Sequence, residues 1–216
     1  MPNEDAGTLL SYLKKHKLPF KTIHLYKGES PPSGFSSIRA LIVMGGPMNV
    51  YEEDKHPFLK KENAFIQVAV KRGIPYLGIC LGSQLLAKAL GFKVYKAKKP
   101  EVGWDSVTLS AYAKTDPLFS HLKKKTLHVL QWHEDTFDLP NGAARLASSK
   151  IVPNQAYRYK DRFYGFQFHL EVDKPMLKDW FKKSPILSET LKGYNAYKKE
   201  LTVFTNKMYK SFFSLV

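Results

Sequence analysis

Cysteine occurs once in this 216-residue sequence, at Cys80. An internal disulfide is therefore excluded, and with it a disulfide-stapled secreted scaffold. Arginine is nearly as scarce, five residues among 34 basic ones. Arginine makes the bidentate phosphate and base contacts that specific nucleic-acid readers rely on. The net charge of +15 rests instead on scattered lysines, as in "KKHK" at 14–17, "KAKK" at 96–99 and "KKK" at 123–125. That distribution reads as solvated surface, not as a specific nucleic-acid interface. Zinc-finger spacing, a basic zipper and an aromatic-interleaved RNA-binding pattern are all absent. No apolar run approaches the roughly 20 residues of a membrane span, and the N-terminus has no signal-peptide core. A P-loop, a glycine-rich nucleotide loop and a Cys/His metal pattern are also missing, so neither metal nor cofactor is expected. There are no internal repeats. The cytoplasm is the expected compartment.

What the sequence does contain is a balance typical of soluble globular proteins, 44% hydrophobic and 25% charged residues, on a chain long enough for a full core. Strand-like and helix-like segments alternate. "AGTLLSYLKKHK" reads as an amphipathic helix, "FKTIHLY" (20–26) as a strand, and "RALIVMGGP" (39–47) as an apolar strand ending in a glycine turn. "KENAFIQVAVKRG" predicts a helix closed by Gly73, "IPYLGI" a short buried strand, and "CLGSQLLAKALG" a helix stopped at Gly91. Strands then predominate, through "SVTLS", "LHVLQW", "ARLASS", "AYRY" and "FYGFQFHLE". Fully apolar strands joined through helices imply an α/β fold, with a parallel sheet covered on both faces. From about Lys174 the chain turns helical, and Leu191, Tyr194, Tyr197, Leu201, Phe204, Met208, Phe212 and Leu215 recur at spacings of three or four. Such a stripe predicts a helix packed on its own domain, with a partner surface as the alternative. The chain thus divides into a domain over 1–182 and a helical extension over 183–216.

Cys80 stands where the strand "YLGI" meets the following helix, in the string Gly78-Ile79-Cys80-Leu81-Gly82. An abrupt strand-to-helix turn lifts its first side chain above the sheet edge, and glycines on either side relieve crowding in so tight a turn. The helix N-terminus offers free N–H groups and a positive dipole end, which favour a thiolate. The Leu81 N–H could stabilise an oxyanion there, and Gly46 of the Gly45-Gly46-Pro47 turn could supply a second donor. A base is offered by "YGFQFHLEV" (164–172). Strand alternation puts Gln167, His169 and Glu171 on one face and Phe166, Phe168 and Leu170 on the other. A carboxylate beside an imidazole fixes its tautomer, and a Cys-His-Glu set performs acyl transfer. Each piece has a plainer reading. A lone cysteine in apolar surroundings is usually an inert core residue, a His/acid pair on a strand is usually structural, and Cys80 and His169 are 89 positions apart.

Taken together, "IVMGGPMNVYEED", "YLGICLGSQLLAKALG", "EVGWDSVTL", "LQWHEDTFDLP" and "GFQFHLEV", spanning about 39 to 172, resemble the class I glutamine amidotransferases, in particular stand-alone members similar to the glutaminase domain of GMP synthase. The resemblance implies a flavodoxin-like, mostly parallel sheet with helices on both faces. It implies Cys80 as nucleophile, His169 as general acid/base and Glu171 as its orienter. Gly46 and Leu81 would hold the oxyanion, and Gln84, Gln131, Trp132 and His133 would bind substrate. Leu170 replaces a proline common in the family between the histidine and the glutamate, with little effect expected. Glu134 replaces the usual glycine of "WHGD", a change expected to bear on affinity or specificity. The usual first strand is expected to be missing, since the chain starts at "MPNEDAG", and a start recorded too late is the favoured reason. The implied activity is ammonia release from glutamine, with a separate synthetase subunit as user of the ammonia. A γ-glutamyl hydrolase or peptidase with the same residues, and a catalytically silent partner-binding module, are the alternatives.

Overall fold

A computed structural model describes residues 6–216. Residues 1–5, on which the expectation of a missing first strand bears, lie outside the described residues. In chain order the elements are α1 (Gly7–Lys15), β1 (Leu41–Val43), α2 (Phe58–Lys71), β2 (Tyr76–Ile79), α3 (Leu81–Ala89), β3 (Val94–Leu109), β4 (Thr126–Phe137), β5 (Ala143–Ser148), β6 (Ala156–Tyr159), β7 (Phe163–Phe166), α4 (Lys174–Trp180) and α5 (Leu187–Phe213). The strands form one sheet in the order β1-β2-β7-β6-β5-β3-β4.

Parallel pairing joins β1 to β2 and β2 to β7, and every other pair is antiparallel, so the sheet is mixed. The parallel part is the apolar one: β2 and β7 are buried throughout. Each strand sends alternate side chains to opposite faces. Tyr76, Tyr157 and Phe163 join a core under α2 and α3, while Leu77, Tyr164 and Phe166 join a second core under α1, α4 and α5. Helices cover both faces, as an α/β sheet with apolar strands requires.

Several local signals hold. Gly73 and Gly91 follow α2 and α3 with φ of 72° and 86°, the left-handed conformation that ends a helix. In α4, Asp173 caps the N-terminus, accepting from the Met176 N–H at 2.9 Å. The C-terminal stripe is internal, with Leu201, Phe204, Met208 and Phe212 all in the second core. Phe204 is fully buried, its ring centroid 5.3 Å from that of Phe119. Phe204→Ala should therefore lower stability by about 3–5 kcal/mol. Urea unfolding would check this.

One element is corrected. Residues 20–24 form no strand, and Leu25–Lys27 form a single 3-10 turn. A strand requires a ladder partner. Among the described residues β1 is the outer strand of the sheet, paired only with β2, and "FKTIHLY" does not pair with its free edge. Instead the His24 N–H donates to the Glu29 carboxylate at 2.9 Å. No helix among the described residues is long and apolar enough to cross a membrane.

Candidate active site

The parallel strands β1, β2 and β7 end on the same side, and Cys80 follows β2 there. Its N–H extends the β2–β7 ladder by donating to the Phe166 carbonyl at 2.7 Å. Its own backbone has φ 50° and ψ −109°, a conformation that costs a side-chain-bearing residue on the order of 1–3 kcal/mol. The surroundings hold that strain in place. A Cβ on Gly78 would lie 2.5 Å from the Gly82 carbonyl, and one on Gly82 would strike the Val43 carbonyl. Glycine at both positions lets α3 start directly against β1 and β2. Two buried tyrosines fasten its first turn, Tyr76 donating to the Gly82 carbonyl and Tyr157 to the Ser83 carbonyl, both at 2.8 Å. Leu81 is the first residue of α3, where N–H groups lack intrahelical acceptors. Gly46 lies in the loop after β1.

His169 reaches the same point from beyond β7. The strand stops at Phe166, shorter than "FYGFQFHLE" predicts, yet the alternation continues. Phe166, Phe168 and Leu170 enter the core. On the other side Gln167 directs its amide to the Cys80 Sγ at 3.8 Å, and His169 Nδ1 lies 2.8 Å from Glu171 Oε1. The Cys80 sulfur lies near enough to the same imidazole to act on its charge. A Cβ placed on Gly45 would be 3.1 Å from His169 Cε1 and 3.5 Å from Cys80 Cβ, so the two side chains crowd one glycine. Glu171 is held in turn: its Oε2 accepts from the Leu170 N–H at 2.9 Å, and its backbone carbonyl accepts from Thr8 of α1 at 2.8 Å. Burial alone would push the His169 imidazole down. The Glu171 carboxylate and the Cys80 sulfur outweigh that and hold it well above its ordinary value.

The remaining sequence-predicted residues divide into two groups. Gln84 lies one turn into α3 and donates to Gln167 Oε1 at 3.1 Å, which links it to the cysteine through one amide. Trp132 is on β4, 40% exposed, with its carbonyl 3.8 Å from Cys80 Sγ. Its ring packs on Trp180 and Phe181 at centroid distances of 5.3 and 4.6 Å. Gln131 and His133 flank Trp132 but are buried and bonded to each other at 3.1 Å. Glu134 stands out in solvent, 3.8 Å from Lys96.

Sequence reasoning missed Gln167, Gly45 and Trp180 as parts of this site. Gln167 could have been found, because alternation already puts it on the face of His169. Trp180, whose ring stands edge-on to His169 at 4.9 Å, left no signal in the sequence.

A conserved-domain description of class-I glutamine amidotransferases matches residues 8–183, a span that includes Cys80, His169 and Glu171. The glutamine amidotransferase-like protein YfeJ of Salmonella typhimurium is 33% identical over 171 residues, 78% of this chain and 71% of that protein. The glutamine-hydrolysing GMP synthase of Treponema denticola is 38% identical over 150 residues, 68% of this chain and 25% of the synthase, so the matched part is about a quarter of that relative. The crystal structure of a glutamine amidotransferase from Thermotoga maritima superposes with a TM-score of 0.90 at 33% identity, over 98% of this chain and 94% of that one. One from Methylobacillus flagellatus gives 0.91 at 26%, over 100% and 92%. The chain belongs to the class-I glutamine amidotransferase family.

Proposed function

We propose that this protein hydrolyses the side-chain amide of glutamine through a γ-glutamyl thioester on Cys80. The observation that supports this most is the meeting of Cys80 and a Glu171-bound His169 against Gly45. With Nδ1 committed to Glu171, Nε2 is the ring nitrogen left to move protons. The Cys80 sulfur attacks the amide carbon, and the C=O π electrons move to oxygen, where the N–H groups of Gly46 and Leu81 receive the charge. On collapse the C–N bond breaks, and His169 gives its proton to the departing ammonia. His169 then takes a proton from water as that water attacks the thioester. The C–S bond breaks, glutamate leaves and the sulfur is restored. Gln84 and Trp132 line the substrate side. Residues 1–182 form the catalytic unit in this reading, and 183–216 an extension closing its core.

Ammonia release alone does not assemble a product. Relatives named GMP synthase match this chain over about a quarter of their length, which supports a separate synthetase subunit as the acceptor's source. A second reading, hydrolysis of another γ-glutamyl amide, is favoured by the aromatic wall of Trp132, Trp180 and Phe181 beside His169. That wall could face a larger leaving amine. A silent module docking through the C-terminal stripe has little support, because the stripe is spent on the protein's own core.

The test is glutamate release by the full chain from glutamine and from a panel of γ-glutamyl dipeptides and anilides. Glutamine as the better substrate is expected. A preference of tenfold or more in kcat/KM for γ-glutamyl dipeptides or anilides would transfer the assignment to the second reading. No release from any member would overturn both.

A further inference from the structure

Behind Trp132 lies a closed ring of four buried polar side chains, none more than 5% exposed: Glu101 of β3, Gln131 and His133 of β4, and Gln155 just before β6. Gln155 Nε2 donates to Glu101 Oε2 at 2.6 Å. Gln131 Nε2 donates to Gln155 Oε1 at 3.0 Å. Gln131 Oε1 faces His133 Nε2 at 3.1 Å, and that nitrogen is 3.2 Å from Glu101 Oε2. A carboxylate only accepts, so Glu101 fixes which way Gln155 points, Gln155 fixes Gln131, and Gln131 Oε1 then meets the ring of His133. His133 Nδ1 lies 2.9 Å from the Asp135 carbonyl, so both its nitrogens are engaged internally. The register of β3 against β4 shifts between Lys96 and Glu101, a bulge that re-aims a side chain.

The backbone atoms this ring braces are those around the cysteine. Between Gln131 and His133 sits Trp132, whose carbonyl faces Cys80 Sγ. Just before Gln131, the Leu130 carbonyl accepts from the His169 N–H at 2.8 Å. The Gln155 carbonyl accepts from the Gln167 N–H at 2.8 Å, and Gln167 directs its amide to Cys80. We infer that Glu101 and Gln155 are positioning residues, setting β4 at 130–133 and the Gln167–His169 segment against Cys80, and that Gln131 and His133 act through the Trp132 backbone instead of gripping substrate with their side chains. This rests on the hydrolytic reading of the site.

Glu101 Oε1 is buried without a partner, which suggests the discriminating pair. In Glu101→Gln the amide oxygen can still accept from Gln155 while its NH2 occupies the Oε1 side, so the ring survives. In Glu101→Leu the ring opens and the Gln155 NH2 keeps only the Ser149 hydroxyl, at 3.3 Å, in place of the carboxylate. For glutamine hydrolysis, Glu101→Leu should lower kcat by about 10²-fold with KM within about threefold, the signature of misplacement, and Glu101→Gln should stay within about fivefold of the parent. A readout independent of substrate is iodoacetamide alkylation of the chain's only thiol, expected to slow about tenfold or more in Glu101→Leu and to match the parent in Glu101→Gln. If the parent hydrolyses no glutamine, the functional reading fails while the alkylation series still decides this one. A loss confined to KM, or alkylation unchanged or faster in Glu101→Leu, would overturn the inference. Should Glu101→Leu not fold, Gln155→Met is read in the same way. Failure of both to fold would overturn it too, by assigning the ring to stability alone.

Discussion

Cys80→Ala is expected to reduce glutamate release by about 10⁴-fold or more, because no other thiol in the chain can form the thioester. Loss of fold is not the cause. Among the described residues the polar contacts of the cysteine side chain are weak, to the Trp132 carbonyl and the Gln167 amide, both at 3.8 Å, and circular dichroism should show the variant folded. Cys80→Gly sharpens the test. The backbone at φ 50° and ψ −109° is strained for any side chain but open to glycine. This variant should be equally inactive yet more stable than the parent, by about 1 kcal/mol after the lost burial is set against relieved strain. Urea midpoints of the three proteins measure that difference. Activity retained in either variant would remove Cys80 from the chemistry, and a Cys80→Gly protein less stable than the parent would remove the strain argument.

Glu171→Gln should cost on the order of 10²–10⁴-fold in kcat, since the amide keeps the shape but not the charge that holds His169 in one orientation and stabilises its protonated form. The pH dependence of stability gives an independent sign. His169 is held above its ordinary value by Glu171 and Cys80 in spite of burial. A folded-state value raised above the unfolded one, about 6.5, contributes stability that is fully present below the unfolded value. It is lost as pH rises through the folded one. The stability gap between parent and Glu171→Gln should therefore be widest in mildly acidic to neutral solution and narrow as the solution becomes alkaline. Urea unfolding across that range reads it directly. A gap that widens toward alkaline pH would mean the carboxylate does not support an imidazolium.

Much of this site was legible from neighbours in the chain. The turn at Cys80 could be read from Gly78 and Gly82, because the clash a Cβ on Gly78 would make with the Gly82 carbonyl arises within one strand-turn-helix unit, although the demand at Gly82 comes from Val43 of β1. The division of 166–171 into an apolar and a polar face followed from the two-residue period alone, and it persists even where β7 has ended. Helix stops at Gly73 and Gly91 and the buried stripe of α5 came from the same kind of local rule, applied to conformation and to the 3.6-residue period.

Other features depend on which strands become neighbours, and no local rule encodes that. "FKTIHLY" has the pattern of a strand but forms none, since pairing needs a partner strand and the pattern does not specify one. Gln131 and His133 look like substrate ligands beside Trp132. Only the order β6-β5-β3-β4 and the register shift ahead of Glu101 bring Glu101 and Gln155 to them and turn them inward. Trp180 meets His169 because the last residue of α4 returns to it across the fold. The sequence by itself determined the conformations and faces set by residues a few positions apart. The tertiary structure decided the partners of buried polar groups, because a hydrogen bond between distant segments exists only once the sheet has set their distance to about 3 Å.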